Sequence, residues 1–196
     1  MGIEFELKYK ATPEVLKAVA AFLDGSVQHF QMRTSYYDTA AKDLSARRWT
    51  LRRRMENDTS VCTLKTPGAA GGRQEYEVEF PSIEAAIPEL CKLSNLPELA
   101  AFAARGLQEV CAAAFHRVAV TIALEGAVAE IALDEGLLLG GGKQLPLCEL
   151  EVELKDGDPQ AVTDFANSLA ARFHLEPEPQ SKFRRALDLA GGNEHG

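Results

Sequence analysis

The 196-residue sequence lacks the features that mark several common classes of protein. No apolar run approaches the roughly 20 residues that a membrane-spanning helix needs. The four cysteines show neither CxxC nor CxxxC spacing, and the four histidines are scattered along the chain. No GxxxxGK[ST] phosphate-loop motif is present. The sequence therefore predicts no membrane partner, no disulfide scaffold, no zinc framework and no P-loop nucleotide site.

An excess of positive charge is also missing. The chain has 21 Lys and Arg residues against 29 Asp and Glu residues, a formal net charge of −8. Broad nucleic-acid binding requires a basic face, so we predict no nucleic-acid partner. The acidic N-terminus enters a strand pattern at once, which predicts no signal peptide. With reduced, mostly buried cysteines, this pattern indicates a cytoplasmic protein.

The sequence is rich in segments of period two, which predict β-strands. Hydrophobic residues make up 46% and charged residues 26%, which is typical of one globular domain. Strands are predicted at 3–10, 29–39, 47–55, 60–66, 73–80, 115–124, 127–136 and 147–155. Helices are predicted at 13–23, 159–173 and 181–189, and in short pieces over 82–107, where Pro88 and Pro97 would interrupt them. Hairpin-like connections favour an antiparallel α+β fold.

Charged side chains share one face on almost every predicted strand, because residues two apart point the same way. A single charged strand face usually points to water. Here long residues of both signs recur, and clustered like charges repel unless a counter-ion lies between them. We therefore predict an eight-stranded antiparallel β-barrel with a charged lumen and helices packed on its outside. Arg52, Arg54, Glu77 and Glu151 are expected to point into one cavity.

A lumen that holds both bases and acids suits a polyanion together with a divalent cation. Arginine makes bidentate contacts with phosphate, and lysine supplies a point charge. Carboxylates bind Mg²⁺ or Mn²⁺ through oxygen. The residue types on these strands thus indicate a phosphate ligand and a hard metal ion.

The motifs on these strands are similar to those of a known family. Glu4-x-Glu6-x-Lys8 matches the ExExK signature of the CYTH superfamily, the triphosphate tunnel metalloenzymes. Further motifs follow in the same order along nearly the whole chain: Tyr37-Asp38-Thr39, Leu51-Arg52-x-Arg54, Thr63-Leu64-Lys65, Arg73-x-Glu75-x-Glu77, Arg117, Leu133-Asp134, Glu149-x-Glu151-x-Glu153 and Ser181-Lys182. The segments CELEVELKDG and SKFRRAL most resemble the bacterial inorganic triphosphatase branch.

The resemblance implies a triphosphate tunnel domain over residues 1–190, followed by a flexible tail at 191–196. It implies that seven bases hold phosphate oxygens: Lys8, Arg52, Arg54, Lys65, Arg73, Arg117 and Lys182. All of these except Arg73, together with Asp134, form the implied catalytic set, in which Asp134 would place metal-bound water or orient bases. The implied metal ligands are Glu4, Glu6 and two of Glu149, Glu151 and Glu153. The sequence leaves that pair open, and we favour Glu151 and Glu153.

The implied activity is Mg²⁺- or Mn²⁺-dependent hydrolysis of inorganic triphosphate, or another short polyphosphate, to pyrophosphate and phosphate. Two alternatives stay open at this point. The chain could be a polyphosphate-binding module of a larger protein. It could also be a CYTH enzyme for an organic triphosphate, namely a thiamine triphosphatase, a nucleoside triphosphatase or an adenylate cyclase. The sequence does not distinguish a monomer from a homodimer.

Overall fold

The computed structural model of the protein describes residues 5–68 and 72–191. Glu4 and residues 192–196 of the predicted tail lie outside the described residues. The strands are β1 (Glu6–Lys10), β2 (Ser26–Thr39), β3 (Thr50–Glu56), β4 (Thr59–Pro67), β5 (Arg73–Glu79), β6 (Leu107–Leu124), β7 (Ala127–Gly140), β8 (Lys143–Gly157) and β9 (Glu176–Pro177). The helices are α1 (Pro13–Phe22), α2 (Ile83–Ser94), α3 (Glu98–Ala103), α4 (Pro159–Phe173) and α5 (Lys182–Leu189), with a 3₁₀ turn at Ser45–Arg47.

All the strands belong to one antiparallel sheet, as the hairpin-like connections predicted. Their order is β5-β4-β3-β2-β6-β7-β8-β1-β9. The sheet has nine strands rather than eight, because the short β9 pairs with β1 at Tyr9 and Lys10. Within the described residues no ladder joins β5 to β9, so the closed eight-stranded barrel is not confirmed. The sequence missed β9 because two residues are too few to show a period.

The apolar face of the sheet is covered by helices on the β7–β8–β1 side. Leu150 and Val152 are fully buried and alternate along β8 with the charged glutamates. They pack in one core with Leu16 of α1 and Val162 of α4. Burial of each such aliphatic side chain contributes roughly 1.5–3 kcal/mol. This packing directs the glutamates of β8 to the other face of the sheet.

A second core covers the same face at β3 and β4. Leu51 and Leu64 are fully buried there against Leu90 of α2 and Leu99 of α3. Trp49 packs in this core as well. Side chains alternate along a strand, so burial of Leu51 places Arg52 on the opposite face. Arg54, two residues after Arg52, lies on that same opposite face.

Helix α2 continues through Pro88, so the prediction that this residue breaks the helix is wrong. Proline removes one backbone donor, but the buried Ile83, Ile87 and Leu90 anchor the helix on both sides of it. Pro97 does separate α2 from α3, as predicted. No helix in the described part of the chain is both long and apolar enough to cross a membrane.

The loop before β3 is organised by the buried carboxylate of Asp38. Its Oδ1 accepts hydrogen bonds from the backbone N–H groups of Thr39 at 2.8 Å and Leu44 at 2.9 Å. Its Oδ2 accepts from the N–H of Ser45 at 3.0 Å and from the Ser45 hydroxyl at 2.6 Å. These hydrogen bonds fix the loop that leads into β3, the strand that carries Arg52 and Arg54.

Replacement of Asp38 by alanine is expected to lower the free energy of unfolding by about 2 kcal/mol, because buried donors would lose their acceptor. Urea denaturation followed by circular dichroism measures this change. Asp58→Ala, in the exposed turn between β3 and β4, is the matched control and should change stability by less than about 0.5 kcal/mol. Equal effects of the two variants would contradict the role assigned to Asp38.

Candidate active site

One cavity of about 200 Å³ collects charged side chains from β5, at one end of the sheet order, and from β1, next to the other end. The sheet therefore curves around this cavity. All seven bases named from the sequence line it: Lys8, Arg52, Arg54, Lys65, Arg73, Arg117 and Lys182. Three acids line it too: Glu6, Glu151 and Glu153. Side chains that are far apart in sequence thus form one predominantly basic chamber.

Lys182 enters the site from the first turn of α5. The Ser181 hydroxyl caps this helix by accepting the N–H of Arg184 at 3.1 Å. The buried Lys182 ammonium donates to Glu151 Oε1 at 2.8 Å, lies 2.8 Å from Asp134 Oδ2, and also pairs with Glu149. Burial alone would lower the pKa of Lys182, but the three carboxylates outweigh it and raise that pKa. The lysine therefore stays charged and fixes α5 to the sheet.

Arg117 of β6 is held by a bidentate pair with Asp134 of β7. Its Nε and Nη2 each donate to an Asp134 oxygen at 2.7 Å, and Nη2 also donates to Glu151 Oε2 at 2.7 Å. Asp134 is fully buried and is not among the residues that line the cavity. Its geometry is that of a residue that orients bases, one of the two roles that the resemblance implied.

The two inner glutamates of β8 have different electrostatic environments. Burial opposes ionisation of Glu151, but the charges of Lys182 and Arg117 outweigh it and hold its pKa well below the ordinary value. Burial raises the pKa of Glu149, which is fully buried, pairs with Lys182 and Arg185, and does not line the cavity. Of the three candidate glutamates, Glu151 and Glu153 reach the chamber and Glu149 supports α5.

Two groups of carboxylates could receive a cation. Oxygens of Asp134, Glu149 and Glu151 lie within 4.8 Å of one another, but Lys182 and Arg117 already neutralise this group. In the second group, Glu6 lies directly opposite Glu153 in the β1–β8 ladder.

Carboxylates that face each other across a ladder repel, and a hard divalent cation relieves that repulsion. Each of the two carboxylates also has a lysine beside it: Glu6 Oε1 lies 3.4 Å from Lys8 Nζ, and Glu153 Oε2 lies 3.0 Å from Lys155 Nζ. Glu151, on the same face of β8 as Glu153, points into the same cavity. The carboxylate oxygens of Glu6 and Glu153 are of the kind that Mg²⁺ or Mn²⁺ takes, whereas Arg117 and Lys182 engage both oxygens of Glu151.

The basic wall is formed by β3 to β5. Arg54 Nε donates to Thr34 Oγ1 at 3.2 Å, which fixes the side chain beside Arg52. Burial and then the charges of Arg52 and Arg117 lower the pKa of Arg54. An anion placed among these guanidinium groups relieves their mutual repulsion. Arg53 lies outside the cavity and donates to Ser60 Oγ at 2.8 Å.

Glu75 bridges two bases of this wall, a role that the sequence did not reveal. Its Oε1 lies 3.0 Å from Arg52 Nη2, and its Oε2 lies 3.3 Å from Lys65 Nζ. Glu77, which was expected in the cavity, is not among the lining residues and accepts a hydrogen bond from Thr63 at 3.2 Å. Thr63 pairs with Arg52 in one ladder and with Glu77 in the next, so Glu77 shares the sheet face of Arg52, but its side chain is exposed.

The cavity also has four uncharged lining residues, which the pattern of charged faces does not indicate. They are Tyr36, Thr50, Ser181 and Phe183. Tyr36 is buried, and burial raises the pKa of its phenol. Tyr36 shares a face of β2 with Thr34, two residues before it, and these residues pair with Arg52 and Arg54 of β3. The sequence could have pointed to Tyr36 by this period, but β2 carries too few charges to draw attention.

Comparison with known proteins agrees with the family that the sequence motifs indicated. The profile of the CYTH domain family matches residues 2–187. An inorganic triphosphatase from Haemophilus influenzae is 28% identical over 192 residues, which is 95% of this chain and 54% of that protein. The chain thus spans about half the length of this curated relative.

Solved structures share the fold over almost the whole chain. A Hippeastrum protein described as having a dominant triphosphatase activity superposes with a TM-score of 0.68 at 20% identity, covering 94% of this chain and 95% of that one. The PH1819 protein of Pyrococcus horikoshii superposes with a TM-score of 0.64 at 23% identity, covering 94% and 98% of the two chains. At these identities the likeness shows the fold alone.

Proposed function

Because the chain belongs to the CYTH domain family, we propose that it hydrolyses inorganic triphosphate to pyrophosphate and phosphate with the help of a divalent metal ion. The observation that carries the proposal is the single cavity lined by seven bases and three acids. Such a chamber matches a small, highly charged anion that arrives with a cation. The inorganic triphosphatase from Haemophilus influenzae supports the same activity.

In this function residues 1–190 form a tunnel-like domain, and the substrate lies along the basic wall. Arg52, Arg54 and Lys65 bind phosphate oxygens from β3 and β4, and Arg73 extends this wall along β5. On the opposite side, Lys8, Arg117 and Lys182 lie among carboxylates, so substrate oxygens compete with Glu6, Glu151 and Asp134 for their charges. The bases therefore exchange carboxylate partners for phosphate oxygens when the substrate binds. Before binding, the carboxylates limit the electrostatic repulsion among the bases.

Glu6, Glu151 and Glu153 would hold the metal ion, and the resemblance implies Glu4 as a further ligand. A bound Mg²⁺ or Mn²⁺ supplies charge that polarises phosphoryl oxygen and activates water. Asp134 acts by orienting Arg117 and Lys182. Glu149 supports the same lysine from within the core.

The reaction needs no protein nucleophile. The oxygen of one water bonds to the terminal phosphorus while the bond from that phosphorus to the bridging oxygen breaks. The bridging oxygen leaves on pyrophosphate, and the proton released from water ends on the products. Arginine and lysine side chains offset the charge that develops on the leaving oxygen, which is electrostatic catalysis. Ser181 is engaged as the cap of α5 and takes no part in bond making.

A phosphate-release screen tests the proposal. Inorganic triphosphate, thiamine triphosphate, ATP and long-chain polyphosphate are assayed in parallel, each with Mg²⁺ and with Mn²⁺. We expect inorganic triphosphate to give the highest kcat/KM, since the chamber of about 200 Å³ offers charged groups for phosphates. Tight binding of polyphosphate without phosphate release would instead identify a binding module. Preference for an organic triphosphate would overturn the proposed substrate.

Replacement of Glu6 by glutamine should raise the Mg²⁺ concentration for half-maximal activity by about tenfold, because one anionic ligand is lost. The apo protein should be no less stable, since the charge is removed from opposite Glu153. Activity is measured as a function of Mg²⁺, and melting is followed with EDTA present. Glu14→Gln, on the exposed first turn of α1, is the control. An unchanged Mg²⁺ dependence in Glu6→Gln would exclude this residue as a ligand.

A further inference from the structure

Helix α5 carries a second, largely enclosed cation that does not line the charged cavity. Arg185 lies three residues after Lys182, and its side chain is only 14% exposed. Its Nη2 pairs with Glu149, and its Nη1 lies 3.5 Å from Oε2 of Glu178. Because Arg185 is not among the residues that line the cavity, its charge is directed at these carboxylates and not at the space for the ligand.

Three acids and three bases form one network beside the cavity: Asp134, Glu149, Glu151, Arg117, Lys182 and Arg185. Lys182 pairs with all three acids. Arg117 pairs with the two acids other than Glu149. Glu149 is fully buried, and its second base is Arg185. Both of the bases that pair with Glu149 therefore come from α5.

The proposed reaction disturbs this network, because Lys182 turns its charge from carboxylates to phosphate oxygens. The other two acids then keep Arg117 as a partner, whereas Glu149 keeps Arg185 alone. A fully buried carboxylate without a base is strongly disfavoured. Without Arg185, the lysine would be held at Glu149 and would bind phosphate oxygens less well.

The position of α5 does not depend on Arg185 alone. Ala186 is fully buried, and its carbonyl oxygen packs so closely against β7 that a Cβ at Gly140 would collide with it. Phe183 and Leu187 pack against a cluster of buried apolar residues. The helix thus has docking contacts of its own, so loss of the Arg185 charge can be told apart from loss of α5.

We propose that Arg185 is a positioning residue for triphosphate hydrolysis: it neutralises Glu149 and so frees Lys182 to bind the substrate. The inference rests on the proposed function and adds to it a residue that lies outside the cavity. The effect of Arg185 on the substrate passes through Glu149. Removal of the Glu149 charge should therefore make Arg185 dispensable.

Arg185→Met should raise KM for inorganic triphosphate by about tenfold, while kcat falls by less than about threefold, because the change weakens binding of the substrate. Arg185→Lys keeps the positive charge, so its KM should lie between those of the wild type and Arg185→Met. Arg184→Met, on the exposed face of the same helix, is the control and should leave KM unchanged. Steady-state phosphate release at saturating Mg²⁺ measures both constants.

The decisive variant combines Arg185→Met with Glu149→Gln. The amide carries no charge that would hold Lys182, so Arg185→Met should raise KM by less than about threefold when Glu149→Gln is the reference. An equal rise in KM with and without Glu149→Gln would overturn the proposal. Arg185 would then act on the substrate directly, or only through the stability of α5.

Failure of the proposed function is distinguishable from failure of this inference. Thermal melting shows whether each variant folds, and if Arg185→Met does not, Arg185→Gln, which keeps an amide donor, replaces it in the same cycle. If the wild type does not release phosphate from triphosphate, the enzymatic proposal fails, and calorimetric Kd values for triphosphate with Mg²⁺ replace KM. Absence of both hydrolysis and binding would refute both proposals. Hydrolysis by the wild type with equal effects of Arg185→Met in both backgrounds refutes only the role of Arg185.

Discussion

Arg54→Ala is expected to reduce kcat/KM for inorganic triphosphate by about 100-fold, equivalent to about 3 kcal/mol. Arg54 lines the cavity, and Thr34 fixes its guanidinium beside Arg52. Because the group holds phosphate charge both before and during bond cleavage, KM should rise and kcat should fall. Steady-state phosphate release at saturating Mg²⁺ measures both constants.

The adjacent Arg53 supplies an internal control of the same residue type. Its side chain lies outside the cavity and donates to Ser60 on β4. Arg53→Ala should therefore change kcat/KM by less than about threefold, although a small loss of stability is expected from the lost hydrogen bond. If the two variants were equally impaired, or if Arg54→Ala were fully active, the assignment of the β3 face to substrate would be wrong.

The second large effect is expected at Lys182. Lys182→Met should lower the free energy of unfolding at pH 7.5 by about 4 kcal/mol, because Asp134, Glu149 and Glu151 would keep their buried charges without this partner. Urea unfolding with EDTA present measures the loss. Arg184→Met, on the exposed face of the same helix, is the control and should cost less than about 0.5 kcal/mol.

The cost of Lys182→Met should depend on pH. In the wild type, Glu151 has a depressed pKa, so its contribution to stability is present above the unfolded pKa and is lost as the pH falls. In the variant the carboxyl pKa values rise, so protonation relieves the buried repulsion on acidification. The difference between wild type and Lys182→Met should therefore shrink from pH 7.5 to pH 5. A constant or growing difference would show that the carboxylates do not cause the loss.

Periodicity sufficed to predict which strand face six of the bases occupy, because apolar neighbours of the opposite parity fix each face, whereas Lys182 of α5 was implied only by the resemblance. Arg52 and Arg54 follow from burial of Leu51, and Glu151 from burial of Leu150 and Val152. These are local consequences of strand geometry. The resemblance to the CYTH superfamily is confirmed, and the assignment of each residue to phosphate or metal stays a prediction.

Features that depend on tertiary pairing could not be predicted from the sequence. Glu149 and Glu151 have the same spacing and chemistry, yet Lys182 and Arg185 of α5 enclose only Glu149 completely. Nothing in the sequence of β8 fixes where α5 docks. Glu75 likewise bridges Arg52 and Lys65 because β5 pairs with β4, and Pro88 is tolerated because α2 is anchored by its apolar contacts.

The most direct test of the account is a crystal structure of the protein grown with inorganic triphosphate and Mn²⁺, with the anomalous signal used to place the ion. We expect triphosphate in the charged cavity, with phosphate oxygens in contact with Arg52, Arg54 and Lys65. We expect the ion beside Glu6 and Glu153. Triphosphate bound on the outer surface, or an ion held away from Glu6 and Glu153, would contradict the account.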